Sequence, residues 1–154
     1  MADPQFTPEN DPVVVISLFD GIGATWEALK IAGISPAQCY SSEILAPALG
    51  VLLLRQPQVQ HLGDLLEITA ERVQQMVQMA PKPCCILIVG GSPCQDNSTL
   101  KGEGRMGMEG PQSGLVWHMC NVINWTRQAC TQDQRVEVVL ENVAGTSQAD
   151  IAAI

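Results

Sequence analysis

The sequence predicts an α/β fold: a parallel sheet with helices on both faces. Three observations predict it. Val13–Leu18 (VVVISL) and Cys85–Val89 (CILIV) are short, β-branched and uncharged, as strands buried on both faces must be. Each run leads directly into a glycine-containing turn. Strand-like and helix-like segments then alternate along the chain, which implies right-handed crossovers.

Residues 1–12 are polar, carry proline and have no periodicity, so they read as a flexible N-terminal arm before one domain over 13–154. Val13–Leu18 runs into Phe19-Asp20-Gly21-Ile22-Gly23 and then an amphipathic helix, Ala24–Ala32, stopped by Gly33 at the position glycine favours. Strand, glycine turn and helix open a Rossmann-like unit, where glycines let a ligand approach a helix N-terminus. The spacing is G-x-G without a third glycine, so a tight turn with no ligand is equally compatible. Cys39–Glu43 predicts a short second strand ending in an acid. A carboxylate there can hold ribose hydroxyls, or it can simply favour the N-terminus of the helix that follows. Ile44–Arg55 predicts an apolar helix opened by Pro47.

Val59–Leu62 predicts a third strand, with His61 a strand-end residue without chemistry, and Gly63-Asp64-Leu65-Leu66 follows it. Thr69 is placed to N-cap a helix whose inner face is Val73, Met76, Val77 and Ala80. Pro81 and Pro83 end it. The next strand ends at Gly90-Gly91, a pair that lets the backbone turn before Ser92-Pro93-Cys94-Gln95. A cysteine at the carboxyl end of a parallel strand is either a small buried hydrophobe or a group at the ligand-binding edge. From Gly91 to Gln112 no period is visible and glycines recur, which predicts a lid. Ser113 is placed to cap a helix with Leu115, Met119, Val122, Ile123 and Thr126 inward and His118 packed beside them. Arg135–Leu140 predicts a fifth strand, with Glu141-Asn142-Val143 at its carboxyl end.

Composition narrows the function. Hydrophobic residues make up 46% and charged ones 16%, which is the balance of a globular domain. Six cysteines without a CxxC pair, with two histidines, argue against both zinc and a disulfide framework. No apolar run reaches membrane-spanning length. A net charge of −8 is unsuited to strong phosphate binding by this segment alone.

Six motifs stand in one order: SLFDGIG (Ser17–Gly23), SSE (Ser41–Glu43), GDLL (Gly63–Leu66), GGSPCQ (Gly90–Gln95), SGL (Ser113–Leu115) and ENV (Glu141–Val143). Together they resemble the amino-terminal part of the catalytic domain of DNA cytosine-5 methyltransferases, with greatest similarity to the eukaryotic de novo branch. Gln95 departs from that branch, which usually has Asn there. The resemblance implies a class I S-adenosylmethionine-dependent fold, cut after the fifth strand. Cys94 would be the nucleophile at carbon 6 of cytosine and Glu141 its partner at ring nitrogen 3, with Pro93 and Asn142 holding the loops. Phe19, Asp20, Gly21, Ile22 and Gly23 would meet S-adenosylmethionine. So would Glu43 at the ribose, Ile44, Asp64 at the adenine amino group, Leu65 and Gly91. The acids suit this cationic cofactor better than a dinucleotide phosphate.

The resemblance further implies duplex DNA as partner, its target base flipped out, and a nuclear location in a eukaryote. The family's cytosine-holding Arg, target-recognition region and cofactor-closing segment have no counterpart in 1–154. The expectation is a fragment inactive alone, completed by a C-terminal half or a complementing chain and prone to homo-oligomerise through an open sheet edge. A non-catalytic module of the same fold and an RNA cytosine-5 methyltransferase are the competing readings.

Overall fold

The computed structural model describes residues 11–93 and 114–141. Most of the predicted arm and lid, together with Cys94, Ser113 and Asn142, lie outside these residues. Five strands form one parallel sheet in the order β3-β2-β1-β4-β5. They are β1 (Val13–Leu18), β2 (Gln38–Ser42), β3 (Gln60–Gly63), β4 (Cys84–Gly91) and β5 (Gln134–Glu141). Helices α1 (Ala24–Ile31), α2 (Ala46–Arg55), α3 (Ala70–Met79) and α4 (Leu115–Ala129) make the crossovers. This is the predicted class, a class I methyltransferase-like sheet. Its strand order reverses between β1 and β4, the place where open α/β sheets bind ligands.

β1 shows why the sequence lacks alternation. Val13 and Val15 join Trp26, Leu29, Cys39 and Leu52 in a core under α1 and α2. Val14, Ile16 and Leu18 join Val73, Met76, Val77, Val116 and Met119 under α3 and α4. Both faces are covered, so every residue of β1 is buried. β4 departs from the prediction, because Leu87 and Val89 on its α1/α2 side are only half-buried. β5 is the edge of the described sheet and leaves Val139 53% exposed.

The helices follow local signals. Thr69 caps α3 by accepting from the Arg72 N–H at 3.3 Å, and Val73, Met76 and Val77 face inward as predicted. In α1, Gly33 takes the left-handed φ of +72° just after the C-cap. α2 is apolar almost throughout, yet only Leu52 is fully buried, and Leu53 and Leu54 face outward. In α4 the inward face is Val116, Met119, Val122, Ile123 and Thr126, not one beginning at Leu115. Positions 115 and 116 both fit the period back from Met119, and the helix bearing selects Val116. His118 is exposed rather than packed.

The glycine pair of β4 also has a different role from the one expected. Gly90 and Gly91 lie within the strand, paired with Leu140 and Glu141 of β5, and neither has a positive φ. What they supply is close approach. A Cβ on Gly90 would lie 2.7 Å from Met119 Sδ and 3.1 Å from the Leu18 carbonyl oxygen. Gly90 therefore lets α4 settle onto the sheet.

Candidate active site

The carboxyl ends of the strands gather the predicted residues from five separate segments. After β1 the backbone enters the left-handed region at Phe19 (φ +56°), Gly21 (+57°) and Gly23 (+88°). Such a φ is uncommon for a residue with a Cβ, and Phe19 holds it while packed against the α3/α4 core. The turn is braced on both sides. Asp20 N–H donates to the Ser42 carbonyl at 3.2 Å and Gly23 N–H to the Asp20 carbonyl at 3.0 Å. Gly23 also lacks room for a side chain, since a Cβ would meet Leu52 Cδ1 at 2.7 Å.

The three acids on this side are tied in different ways. Asp20 is buried, and its carboxylate accepts from Ser17 Oγ and Trp26 Nε1, each at 2.7 Å. Glu43, 9% exposed, accepts from Gly21 N–H at 2.7 Å through Oε2, and from Ile44 and Leu45 N–H at 2.8 and 2.7 Å through Oε1. It is thus both an acid at the start of α2, as one of its two sequence readings had it, and a bridge to the glycine turn. Asp64 caps the 3₁₀ turn Leu65–Glu67, with Oδ1 accepting from Leu66 N–H at 2.9 Å. Ile22 and Ile44 are exposed around these acids, whereas the Leu65 side chain is buried in the α3/α4 core.

His61 has a task the sequence did not suggest. Its Nε2 lies 2.9 Å from the Glu43 carbonyl, which can only accept, so Nε2 carries the proton. Only the pairing of β3 with β2 brings the ring there, and no short-range pattern signals it. Trp26, read from sequence as one residue of an amphipathic helix, is the other member found only in the fold.

On the far side of β1, the register of β4 and β5 pairs Gly91 with Glu141. The Glu141 carboxylate folds back over Gly91: a Cβ there would lie 2.6 Å from Oε2. Glycine is what makes room for it. Glu141 is solvent-exposed and accepts no hydrogen bond from the described residues. Gly91 leads within three residues to Cys94. The five described cysteines are poor nucleophiles. Burial pushes the thiols of Cys39, Cys84, Cys120 and Cys130 up, and that of Cys85 to about 11.

The donor set fits S-adenosylmethionine. The segments 19–23, 43–45 and 64–66 hold three acids and no Lys or Arg, which suits a sulfonium and an ammonium and opposes a pyrophosphate. Among the described residues no cluster of His, Cys, Asp and Glu is arranged for a metal ion, and no helix is long and apolar enough to cross a membrane.

A fold and a site of this kind define a Rossmann-like, methyltransferase-type sheet with three acids at the ends of β1, β2 and β3. The C-5 cytosine-specific DNA methylase family model matches residues 13–151, and the chain belongs to that family. It is 30% identical over 115 residues to the DNA (cytosine-5)-methyltransferase DRM1A of Oryza sativa subsp. japonica, covering 71% of this chain and 24% of the relative. It is 29% identical over 119 residues to DRM2 of Arabidopsis thaliana, covering 73% and 19%. The chain therefore spans about a quarter or less of the length of these relatives. Among solved structures it is similar to the S. pombe Dnmt2 methyltransferase (TM-score 0.56, 21% identity, 90% of this chain and 37% of that one). It is also similar to a Spodoptera frugiperda DNMT2 mutant (TM-score 0.59, 17% identity, 88% and 36%). At those identities the likeness shows the fold alone.

Proposed function

We propose that this chain is the cofactor-binding and nucleophile-bearing part of an enzyme that methylates carbon 5 of cytosine in DNA. The observation that carries the proposal is the juxtaposition of Glu141 with Gly91, the residue that leads into Ser92-Pro93-Cys94. Two adjacent parallel strands thereby bring a carboxylate with no donor among the described residues to the segment that leads to Cys94.

Cytosine is electron-poor at carbon 6 and not nucleophilic at carbon 5. The Cys94 thiolate adds at carbon 6 while Glu141 supplies a proton at nitrogen 3, so the addition product is a neutral enamine nucleophilic at carbon 5. S-adenosylmethionine, when bound, supplies the electrophilic methyl group. After transfer, a base takes the carbon-5 proton, the thiolate leaves carbon 6, and the nitrogen-3 proton returns to Glu141, which restores the ring. Glu43 faces the ribose hydroxyls, Asp64 keeps one oxygen for the adenine amino group, and the Gly21–Gly23 turn meets the amino-acid end. Pro93 and Asn142 hold the loops. The complete protein would act on duplex DNA with its target base flipped out, in the nucleus of a eukaryotic cell.

The test is covalent trapping in the intact protein. A duplex carrying a cytosine blocked at carbon 5 should cross-link through Cys94 in the presence of cofactor. Labelling at Cys84 or Cys85 would overturn the assignment, and transfer to transfer RNA but not to duplex DNA would move the substrate class.

A further inference from the structure

We infer that Trp26 and Asp20 form an internal clamp that positions the cofactor turn, with the Asp20 carboxylate acting through that turn rather than on the ligand. The inference rests on the cofactor reading above and assigns a different task to one of its residues.

Both carboxylate oxygens of Asp20 are already engaged. Oδ1 accepts from Ser17 Oγ and Oδ2 from Trp26 Nε1, each at 2.7 Å, and both contacts are buried. Ser17 Oγ lies 3.0 Å from Thr25 Oγ1, and Ser41 is Ser17's partner in register on β2. A polar cluster therefore sits beneath the turn, inside the α1/α2 layer, where a charge is tolerated only if its partners are complete. The indole is itself 5% exposed and packed with Leu29 and Leu52, so its N–H has little freedom to choose another acceptor.

The consequence falls on the backbone. Asp20 lies between the left-handed Phe19 and Gly21, and its own N–H and carbonyl bond to the Ser42 carbonyl and the Gly23 N–H. Holding its side chain from below fixes the direction in which the Gly21–Gly23 peptides point. The next peptide, Gly21 N–H, is the one that bonds Glu43. Trp26 is thus a positioning residue two links removed from the ligand. The link reaches back from the first turn of α1, so the helix and the turn it caps move together.

The experiment separates a clamp from a direct contact. Trp26→Phe keeps most of the packing and removes one donor, and Asp20→Ala removes both acceptors. Asp20→Asn keeps the shape and loses the charge: its oxygen can accept from the indole while its amide donates to Ser17, whose hydroxyl then donates to Thr25. In the intact protein, calorimetric titration with S-adenosylhomocysteine well below the melting temperature should show Trp26→Phe and Asp20→Ala weakened about tenfold or more. Asp20→Asn should recover most of what Asp20→Ala loses. Asn as poor as Ala would mean that the charge meets the ligand directly, and Trp26→Phe binding like wild type would remove the indole from the path. Either overturns the clamp.

A second readout does not need the ligand. The Trp26 indole proton should be protected from exchange in the wild type and in Asp20→Asn, and should exchange freely in Asp20→Ala. Protection unchanged in Asp20→Ala would also overturn the clamp. Failure of the wild type to bind the nucleoside at all would sink the cofactor reading, and the indole exchange would then decide the clamp by itself.

Discussion

The two halves of the sheet edge treat their carboxylates in opposite ways. On the β1–β3 side, Asp20 and Glu43 are buried and take five hydrogen bonds between them, and Asp64 caps a turn. On the β4–β5 side, Glu141 stands in solvent over Gly91, with no donor among the described residues. The first arrangement is a preorganised cradle, its shape set before any ligand arrives. Under the proposed function, the second keeps a carboxylate available for a proton at the substrate, and catalytic hydrogen bonds of that kind commonly close only when substrate is present. On that reading, one sheet carries a preorganised half for recognition and a solvent-facing half for chemistry.

The sharpest way to break this contrast is at Glu141. Glu141→Gln in the intact protein should lower methyl transfer by roughly 10²–10⁴-fold and leave S-adenosylhomocysteine affinity unchanged by calorimetry. Gly91→Ala should reproduce much of that loss by steric displacement of the same carboxylate, without removing any functional group. If Gly91→Ala turned over like wild type, the juxtaposition that carries the proposed function would have no role.

The cradle side should respond in binding. Glu43→Ala leaves the N–H groups of Gly21, Ile44 and Leu45 without their acceptor and, under the proposed function, removes the ribose contact. We expect about 1–3 kcal/mol weaker cofactor binding, read by calorimetry, and an unchanged affinity would reduce Glu43 to a helix-end acid. Gly90→Ala tests the packing beneath both halves. Met119 and the Leu18 carbonyl crowd the new methyl, so unfolding in denaturant should show a loss of about 1–3 kcal/mol.

The smallest expected effect is a pH dependence of the scaffold. Burial, together with the Glu137 carboxylate, raises the Cys85 thiol from 9.0 to about 11. Its contribution to stability is complete below pH 9 and is lost as pH rises through 11, because only the unfolded chain releases the proton in that window. Melting temperature should fall between pH 9 and 11 by an amount worth about 1–2 kcal/mol, and Cys85→Ala should flatten the slope. An unchanged slope would show that the thiol is not held in its neutral form.

How much was legible in the sequence varies with the range of the physics involved. The apolar run of β1, the Gly33 stop of α1, the Thr69 cap and the inner face of α3 follow from contacts within a few residues, and the structure has them as read. The six ordered motifs likewise carried the family without any geometry. Where two neighbouring positions fit one helical period, as Leu115 and Val116 do, the sequence has no means of choosing, and packing against the sheet decides.

By itself, then, the sequence determined the parallel α/β class, the order of its elements and the residue types at the strand ends, because hydrophobic pattern and turn chemistry are local. Only the tertiary structure decided what those residue types do. Asp20 and Glu43 are the same kind of side chain at equivalent strand ends, yet one turns inward to an indole and the other bridges two backbones. The glycines of β4 looked like turn-makers and serve as clearances for Met119 and Glu141. Register, crossover handedness and the bearing of each helix set these outcomes, and they are properties of segments brought together from distant parts of the chain.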